Sequence, residues 1–335
     1  MTNITREMMT TSILFELITL NKKKFIEPLP VVYHSEIQYP PFNKMFYLEH
    51  EEIKALTPAE VAKYRKEIDI RVTGDNVPKP VKTFAHLGLG ERLMKSIEKQ
   101  NFTEPTAIQR QAIPAALSGR DVIGIAKTGS GKTASFVWPM LIHIRSQPPL
   151  RKGDGPIGLI IAPTRELAQQ IYFETRRYAK RFNLRVCPIY GGVPKVEQVK
   201  ELKRGVEILV CTPGRLIDVI KMKKITNMRR VTYLVFDEAD KMFNMGFEIQ
   251  VRSIAGQVRP DRQTLLFSAT FKKTVENVAR DILQDPVRIS VGIVGEVSFL
   301  GLFLKDVSSN VGGRVFAIVL FFRPTRMSIK ECTLQ

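Results

Sequence analysis

An apolar run, Val122 to Ala126, leads into Lys127-Thr128-Gly129-Ser130-Gly131-Lys132-Thr133 and then into a helical stretch. No other feature of the chain restricts its fold so tightly. Backbone N–H groups converge on phosphate oxygens where a strand ends, a glycine-bearing loop turns and a helix begins with its N–H groups unpaired. Gly129 and Gly131 remove the Cβ atoms that would block the approach. Lys132 reaches the terminal phosphates, and the Thr133 hydroxyl suits magnesium. Thr128 and Ser130 complete the loop. Ala126 stands where such loops often carry their first glycine.

A second apolar run, Tyr233 to Phe236, ends in Asp237-Glu238-Ala239-Asp240. In an open parallel sheet, ligands bind outside the carboxyl ends of the strands. Asp237 is therefore expected to face the same crevice as Lys132 and to hold magnesium, in part through water. Glu238, next in the chain, is placed to orient and deprotonate an attacking water.

The two runs belong to a longer alternation. Strands are expected at Val122 to Ala126, Gly158 to Ala162, Arg185 to Tyr190, Glu207 to Cys211, Tyr233 to Phe236 and Thr264 to Phe267. Helices are expected at Lys132 to Ser146, Arg165 to Arg181, Lys195 to Arg204, Gly214 to Lys223, Glu248 to Val258 and Lys273 to Leu283. Continuous apolar strands between amphipathic stretches predict an α/β fold, a parallel sheet with helices on both faces. A composition of 44% hydrophobic and 25% charged residues is enough for such a core. Residues 84–292 form this expected domain. Residues 1–83 are proline-punctuated and predict a largely irregular arm with one helix, Pro58 to Ile68, capped by Thr57 and Glu60. Residues 293–335 hold two apolar clumps, Ser298 to Leu304 and Val315 to Phe322, and do not continue the alternation.

The net charge of +18 lies almost wholly within 84–292, which favours a polyanionic partner. Cys187, Cys211 and Cys332 are too far apart to read as a disulfide framework or a zinc site. Ser12 to Leu20 is short, is broken by Glu16 and is followed rather than preceded by lysines, so it does not read as a secretory signal. Val315 to Phe322 falls well below the ~18 apolar residues of a membrane span.

Upstream of the phosphate loop lies Phe102-Thr103-Glu104-Pro105-Thr106-Ala107-Ile108-Gln109. A glutamine amide can pair with N6 and N7 of adenine, with Phe84 or Phe102 stacked on the base. Taken alone, Gln109 reads more readily as a surface helix residue.

Phe84, Pro105-Thr106 with Gln109, Ala126 to Thr133, Pro163 to Ala168, Gly191-Gly192, Thr212 to Arg215, Asp237 to Asp240 and Ser268 to Thr270 occur in the order of the first-half motifs of DEAD-box RNA helicases. Residues 84–292 resemble that family. Asn101 departs mildly from it, standing where most members have glycine. The segment Phe46 to Arg71 and the core wording resemble the spliceosome-linked subgroup numbered 42.

The resemblance implies a RecA-like P-loop NTPase fold, with ATP and Mg2+ as cofactors. It implies RNA as partner, bound through its backbone along Pro163, Thr164, Arg165, Gly191, Gly192, Thr212, Gly214 and Arg215, without sequence reading. Asp240, Ser268 and Thr270 would couple the ATP and RNA sites. Splicing-complex proteins and a nuclear location are expected from the subgroup. The family also has a second RecA-like domain with an H-R-x-G-R signature, which His34, His50, His86 and His143 do not supply. The sequence thus predicts a chain cut short of that half and weak in ATPase by itself. The alternative reading is a non-catalytic ATP- and RNA-binding module that competes with a full-length helicase.

Overall fold

The computed structural model describes residues 27–222 and 225–292. The apolar run at Ser12 to Leu20, the end of the helix expected to reach Lys223, and everything expected from residue 293 onward, Cys332 included, lie outside the described residues.

Eight strands form one sheet: β1 (Ile70–Thr73), β2 (Val122–Ile125), β3 (Gly158–Ile161), β4 (Val186–Ile189), β5 (Ile208–Cys211), β6 (Tyr233–Phe236), β7 (Gln263–Ser268) and β8 (Val287–Val291). Their order is β1-β8-β2-β7-β6-β3-β5-β4. All neighbours run parallel except β1, which pairs antiparallel with β8 from Ile70 opposite Val291 to Thr73 opposite Arg288. The six expected strands are present, a few of them a residue or two shorter than predicted or, for β7, longer. β1 and β8 are additional.

Successive side chains of a strand point to opposite faces, and the sheet divides its apolar residues accordingly. Ile160, Val210, Val235, Leu265 and Phe267 join one core layer. Leu159, Ile161, Leu209, Leu234, Phe236 and Leu266 join the other. In the arm, α1 (Glu51–Lys54) and α2 (Pro58–Glu67) precede β1. The first layer is covered by α3 (Glu91–Glu98), α4 (Ala107–Leu117), α5 (Lys132–Arg145) and α6 (Arg165–Ala179). The second lies under α7 (Lys195–Lys203), α8 (Pro213–Lys221), α9 (Ala239–Asn244), α10 (Glu248–Ala255) and α11 (Lys273–Ile282). The expected architecture of helices on both faces holds.

Among the described residues, the arm is irregular at 27–50, apart from a 3-10 turn at His34–Glu36, and again at 74–82. Beyond residue 50, Ile53, Ile70 and Val81 are buried in the first core layer. The α2 cap has the expected geometry: Glu60 N donates to Thr57 Oγ1 at 3.3 Å, and Thr57 N donates to Glu60 Oε2 at 2.8 Å. The irregular part is nonetheless docked. Leu29 N donates to Ser253 Oγ at 2.7 Å, and Gln257 Nε2 to the Pro30 carbonyl at 2.6 Å. The Arg259 guanidinium lies 4.7 Å from the Tyr39 ring and 4.8 Å from the Phe42 ring, and Arg259 is buried. Phe46 N and Tyr47 N both donate to the Leu117 carbonyl. Arg259 and Leu117 precede β7 and β2, so this strap follows the amino-terminal edge of the sheet.

Candidate active site

β2 and β6 deliver their motifs to the opposite, carboxyl-terminal edge. Ala126 N donates to the Ser268 carbonyl at 3.0 Å, and Asp237 N to the Ile161 carbonyl at 2.9 Å, so both motifs are pinned to the ends of neighbouring strands. Thr128 and Gly129 are exposed, Ser130 and Thr133 are half-buried, and Lys132 is buried. Gly131 has φ +91°, and a Cβ there would lie 2.5 Å from Gln109 Nε2. Lys132 Nζ donates to the Ala126 carbonyl at 2.7 Å.

Asp237 is 3% exposed. Burial pushes its carboxyl up to about 6; the Lys132 ammonium pulls it back, and the neighbouring Glu238 adds to the rise. Glu238 occupies the left-handed region at φ 52°, ψ 49°, and its carboxylate meets Lys241 Nζ at 2.8 Å. That conformation costs a non-glycine residue about 1–3 kcal/mol.

Asp240 ties the acidic turn to the end of β7. Its Oδ2 accepts from Thr270 N at 3.0 Å and Thr270 Oγ1 at 2.8 Å, and its own N–H donates to Ser268 Oγ at 3.2 Å. Burial alone would raise the Asp240 carboxyl. Hydrogen bonds from Thr270 and Ser268 and from the Lys241 N–H outweigh it and leave the group below its ordinary value.

Three expected residues sit differently from the sequence reading. Gln109 is 2% exposed, with both ends of its amide occupied: Oε1 accepts from Thr106 N at 3.0 Å, and Nε2 donates to the Gly131 carbonyl at 3.1 Å. In this conformation it braces the phosphate loop rather than presenting a free edge to a base. The pattern Thr106-x-x-Gln109 is a capping box, a signal present in the sequence. Phe84 is buried with its ring edge-on to Trp138, so of the two aromatics only Phe102, 42% exposed, has a face to offer. Arg215 is 9% exposed; it donates to Gln198 Oε1 at 3.2 Å and to the Val193 carbonyl at 3.1 Å.

The remaining strip residues line up beside the acidic turn, at the carboxyl ends of β3, β4 and β5. Pro163 is buried, and Thr164 caps α6 by accepting from Leu167 N at 3.3 Å. Arg165 is exposed, 5.3 Å from the Tyr190 ring. Gly191 and Gly192 are exposed, and Thr212 and Gly214 are half-buried at the start of α8. Sequence reasoning missed Gln198, whose amide exchanges hydrogen bonds with both the N–H and the carbonyl of Tyr190 and so fixes the glycine loop.

The residues fit a nucleotide with its metal. Ser130 Oγ is buried with no hydrogen-bond partner, an acceptor or donor left open inside the phosphate loop. Asp237 and Thr133 supply the hard oxygen ligands that magnesium takes. A second cluster, His50, Glu52 and His86, brings its ligand atoms within 4.8 Å of one another. Here the Nδ1 atoms of both imidazoles already accept backbone N–H groups, from Glu52 for His50 and from Lys82 and Thr83 for His86. Each Nε2 therefore carries the proton, and that of His86 donates to Glu52 at 3.1 Å. The cluster latches α1 to the core, and its two imidazoles have no free lone pair to offer a metal.

Comparison with known proteins agrees with this geometry. The family model for DEAD/DEAH box helicases matches residues 106–278. The chain is 61% identical to the ATP-dependent RNA helicase DDX42 of Homo sapiens over 276 residues, which cover 82% of this chain and 29% of that protein. It is 58% identical to DEAD-box ATP-dependent RNA helicase 24 of Oryza sativa subsp. japonica over 281 residues, 84% of this chain and 36% of that protein. Among solved structures, the yeast DEAD-box splicing factor Prp28 superposes with a TM-score of 0.69 at 35% identity, covering 76% of this chain and 60% of that one. A phosphate loop, an acidic turn and a Ser-x-Thr linkage on adjacent strand ends, within a sequence so similar to these relatives, leave one assignment: the chain belongs to the DEAD/DEAH box helicase family.

Proposed function

We propose that this chain carries the ATP-binding half of an ATP-dependent RNA helicase. The chain spans about 29% of the length of the DDX42 relative it matches, so helicase activity is proposed for the whole protein. One observation supports the reading above the others: Lys132, Asp237 and the Asp240–Thr270 linkage meet at one sheet edge, with an open hydrogen-bonding position at Ser130.

In this reading Lys132 gives up the Ala126 carbonyl and donates to the terminal phosphates of ATP. Thr128, Gly129, Ser130 and Gly131 wrap the phosphates, and Phe102 lies against the base. Gln109 holds the loop through Gly131, and pairing with adenine requires its amide to exchange partners. Thr133 and Asp237 hold Mg2+, which when bound offsets the charge of the phosphates. Glu238 leaves Lys241 and takes a proton from the attacking water. Pro163, Thr164, Arg165, Gly191, Gly192, Thr212 and Gly214 follow the RNA backbone, with Arg215 holding the glycine loop in shape. Asp240, Ser268 and Thr270 link the two sites. The similarity to Prp28, a splicing factor, supports action in the nucleus among splicing-complex proteins.

The test is equilibrium binding of ATP with Mg2+ and of single-stranded RNA to the purified chain, alongside ATP turnover. ATP is expected to bind, Lys132→Ala to weaken it by at least about tenfold, and Glu238→Gln to leave binding intact while lowering turnover by about 10²-fold or more. ATP affinity that ignores Lys132→Ala would overturn the assignment. RNA and ATP binding by the purified chain with no turnover would favour the reading of a non-catalytic module that competes with a full-length helicase.

A further inference from the structure

Tyr172 and Phe173, in the middle of α6, lie outside the short motifs that mark the family, yet they set two aromatic rings on the solvent side of the helix. Phe173 is 60% exposed. Its ring stands 5.2 Å from that of Tyr172 between centroids, with 56° between planes. Tyr172 is half-buried and packs on the first core layer, so the pair has an anchored inner ring and an open outer one. A lone exposed phenylalanine needs no explanation. The neighbours of this one give it a setting. Residues three and four apart share a helix face, and Arg165, Gln169, Phe173 and Arg176 follow one another down α6 from the proposed RNA strip. The Arg165 guanidinium lies 5.3 Å from the Tyr190 ring, and the Tyr190 hydroxyl accepts from Gln169 Nε2 at 2.8 Å. One turn further, the Arg176 guanidinium lies 5.8 Å from the Tyr172 ring. Lys180 and Arg181 are exposed just past the end of the helix. Residues 165–181 carry five basic side chains against two acidic ones. Cations and rings thus alternate along one open face.

We propose that this face of α6 is a stacking platform for unpaired RNA bases, with Phe173 taking a base and Arg176 a neighbouring phosphate. The inference rests on the RNA reading of the strip above and extends it from backbone to bases. Eight residues separate Arg165 from Phe173, about 12 Å along the helix. That is the rise of about three or four nucleotides at ~3.4 Å each, so a strand seated at Arg165 reaches Phe173 within a few bases. Every base has a π face, so a ring gains from any of them and the contact reads no sequence. An apolar protein segment would also cover Phe173. The cations on either side of the ring favour a polyanion instead, because an apolar partner would have to cover them without pairing them.

The experiment compares two strands of equal length and charge, a single-stranded RNA and the same strand made abasic throughout, binding to the full chain. Phe173→Ala is expected to weaken the base-bearing strand by about tenfold and to leave affinity for the abasic strand unchanged. Arg176→Ala is expected to weaken both strands alike and to lower the salt slope of each by about one phosphate contact. Phe173→Trp keeps a stacking ring and is expected to keep the affinity. Its added indole emission, measured against the buried Trp138 common to every variant, is expected to be quenched by the base-bearing strand alone. Equal losses for the two strands in Phe173→Ala mean a general disturbance of the surface and overturn the proposal. An unchanged affinity for both, or an emission in Phe173→Trp that ignores the bases, overturns it as well. If the unmodified chain binds both strands equally, the backbone strip stands and the platform falls. If it binds neither, the RNA reading itself fails, and this one with it.

Discussion

Gln109 and Arg215 show how a structure can use a side chain differently from the way its sequence reads. Each was expected to face a ligand, and each instead spends its hydrogen bonds inside the protein, Gln109 on the phosphate loop and Arg215 on Val193 and Gln198. The reason is physical: a glycine-rich loop has no side chains with which to hold itself, so a neighbouring buried polar group must do so. Gln109 braces Gly131 and Arg215 braces Val193. The difference between a bracing and an exposed arginine is measurable. Arg215→Ala leaves a buried carbonyl and the Gln198 amide short of a partner and is expected to cost about 1–3 kcal/mol of stability in denaturant unfolding. Arg165→Ala removes an exposed cation–π contact and is expected to cost less than about 1 kcal/mol. Arg165→Ala should nevertheless lower the salt dependence of RNA binding by about one phosphate contact. If both variants unfold at the same denaturant concentration, Arg215 is not a brace.

Elements whose apolar residues run continuously were readable: β2, β3, β5 and β6 are four-residue blocks buried at every position. β8 escaped because its sequence, Val-Arg-Ile-Ser-Val, alternates buried and exposed positions at its start and follows a proline. β1 escaped because Ile-Arg-Val-Thr, at the end of an arm that looked irregular, is an edge strand needing only one buried side chain at 5% exposure. Neither pattern announces itself; β8 is held between β2 and β1, and β1 exists because β8 completes its hydrogen bonds. Register, by contrast, leaves a local mark. Gly124 of β2 sits directly opposite Phe267 of β7, and a Cβ at 124 would lie 2.4 Å from the Phe267 ring. Gly124→Ala is therefore expected to destabilise the domain by about 1–3 kcal/mol through overpacking. Phe267→Leu should recover part of that loss when combined with it, so that the double variant unfolds later than additivity allows. Strict additivity would show that the two positions do not meet across the ladder.

Across the whole molecule, the two edges of the sheet do different work, and each holds a carboxyl lifted to about 6. At the carboxyl-terminal edge it is Asp237, in the crevice; at the amino-terminal edge it is Asp121, 6% exposed, beneath the docked arm. Burial raises Asp121; Thr264 N and Gln284 N, which donate to its two oxygens at 2.8 and 2.7 Å, and the nearby Lys44 and Arg262 pull it back without overcoming burial. Asp121 thereby joins the start of β2 to β7 and to the turn before β8. A carboxyl whose folded value lies above its unfolded one favours the folded state when protonated. Its contribution is fully present below the unfolded value near 3.8 and is lost as pH rises through about 6. The shift corresponds to roughly 3 kcal/mol at about 1.4 kcal/mol per unit. Asp121→Asn does not titrate, and it also gives up one of the two acceptors, so its stability is offset by an amount that pH does not change. The quantity to measure is the difference in unfolding free energy between unmodified protein and Asp121→Asn at several pH values. That difference is expected to move by up to about 3 kcal/mol against the unmodified protein between pH 4 and pH 7, and to be flat above it. Asp237 has the same sign but lies in the proposed ATP crevice, so saturating ATP with Mg2+ should alter its share and leave the Asp121 difference untouched. A difference that is flat from pH 4 to pH 7, or one that ATP removes, would place the titrating group in the crevice and not under the arm.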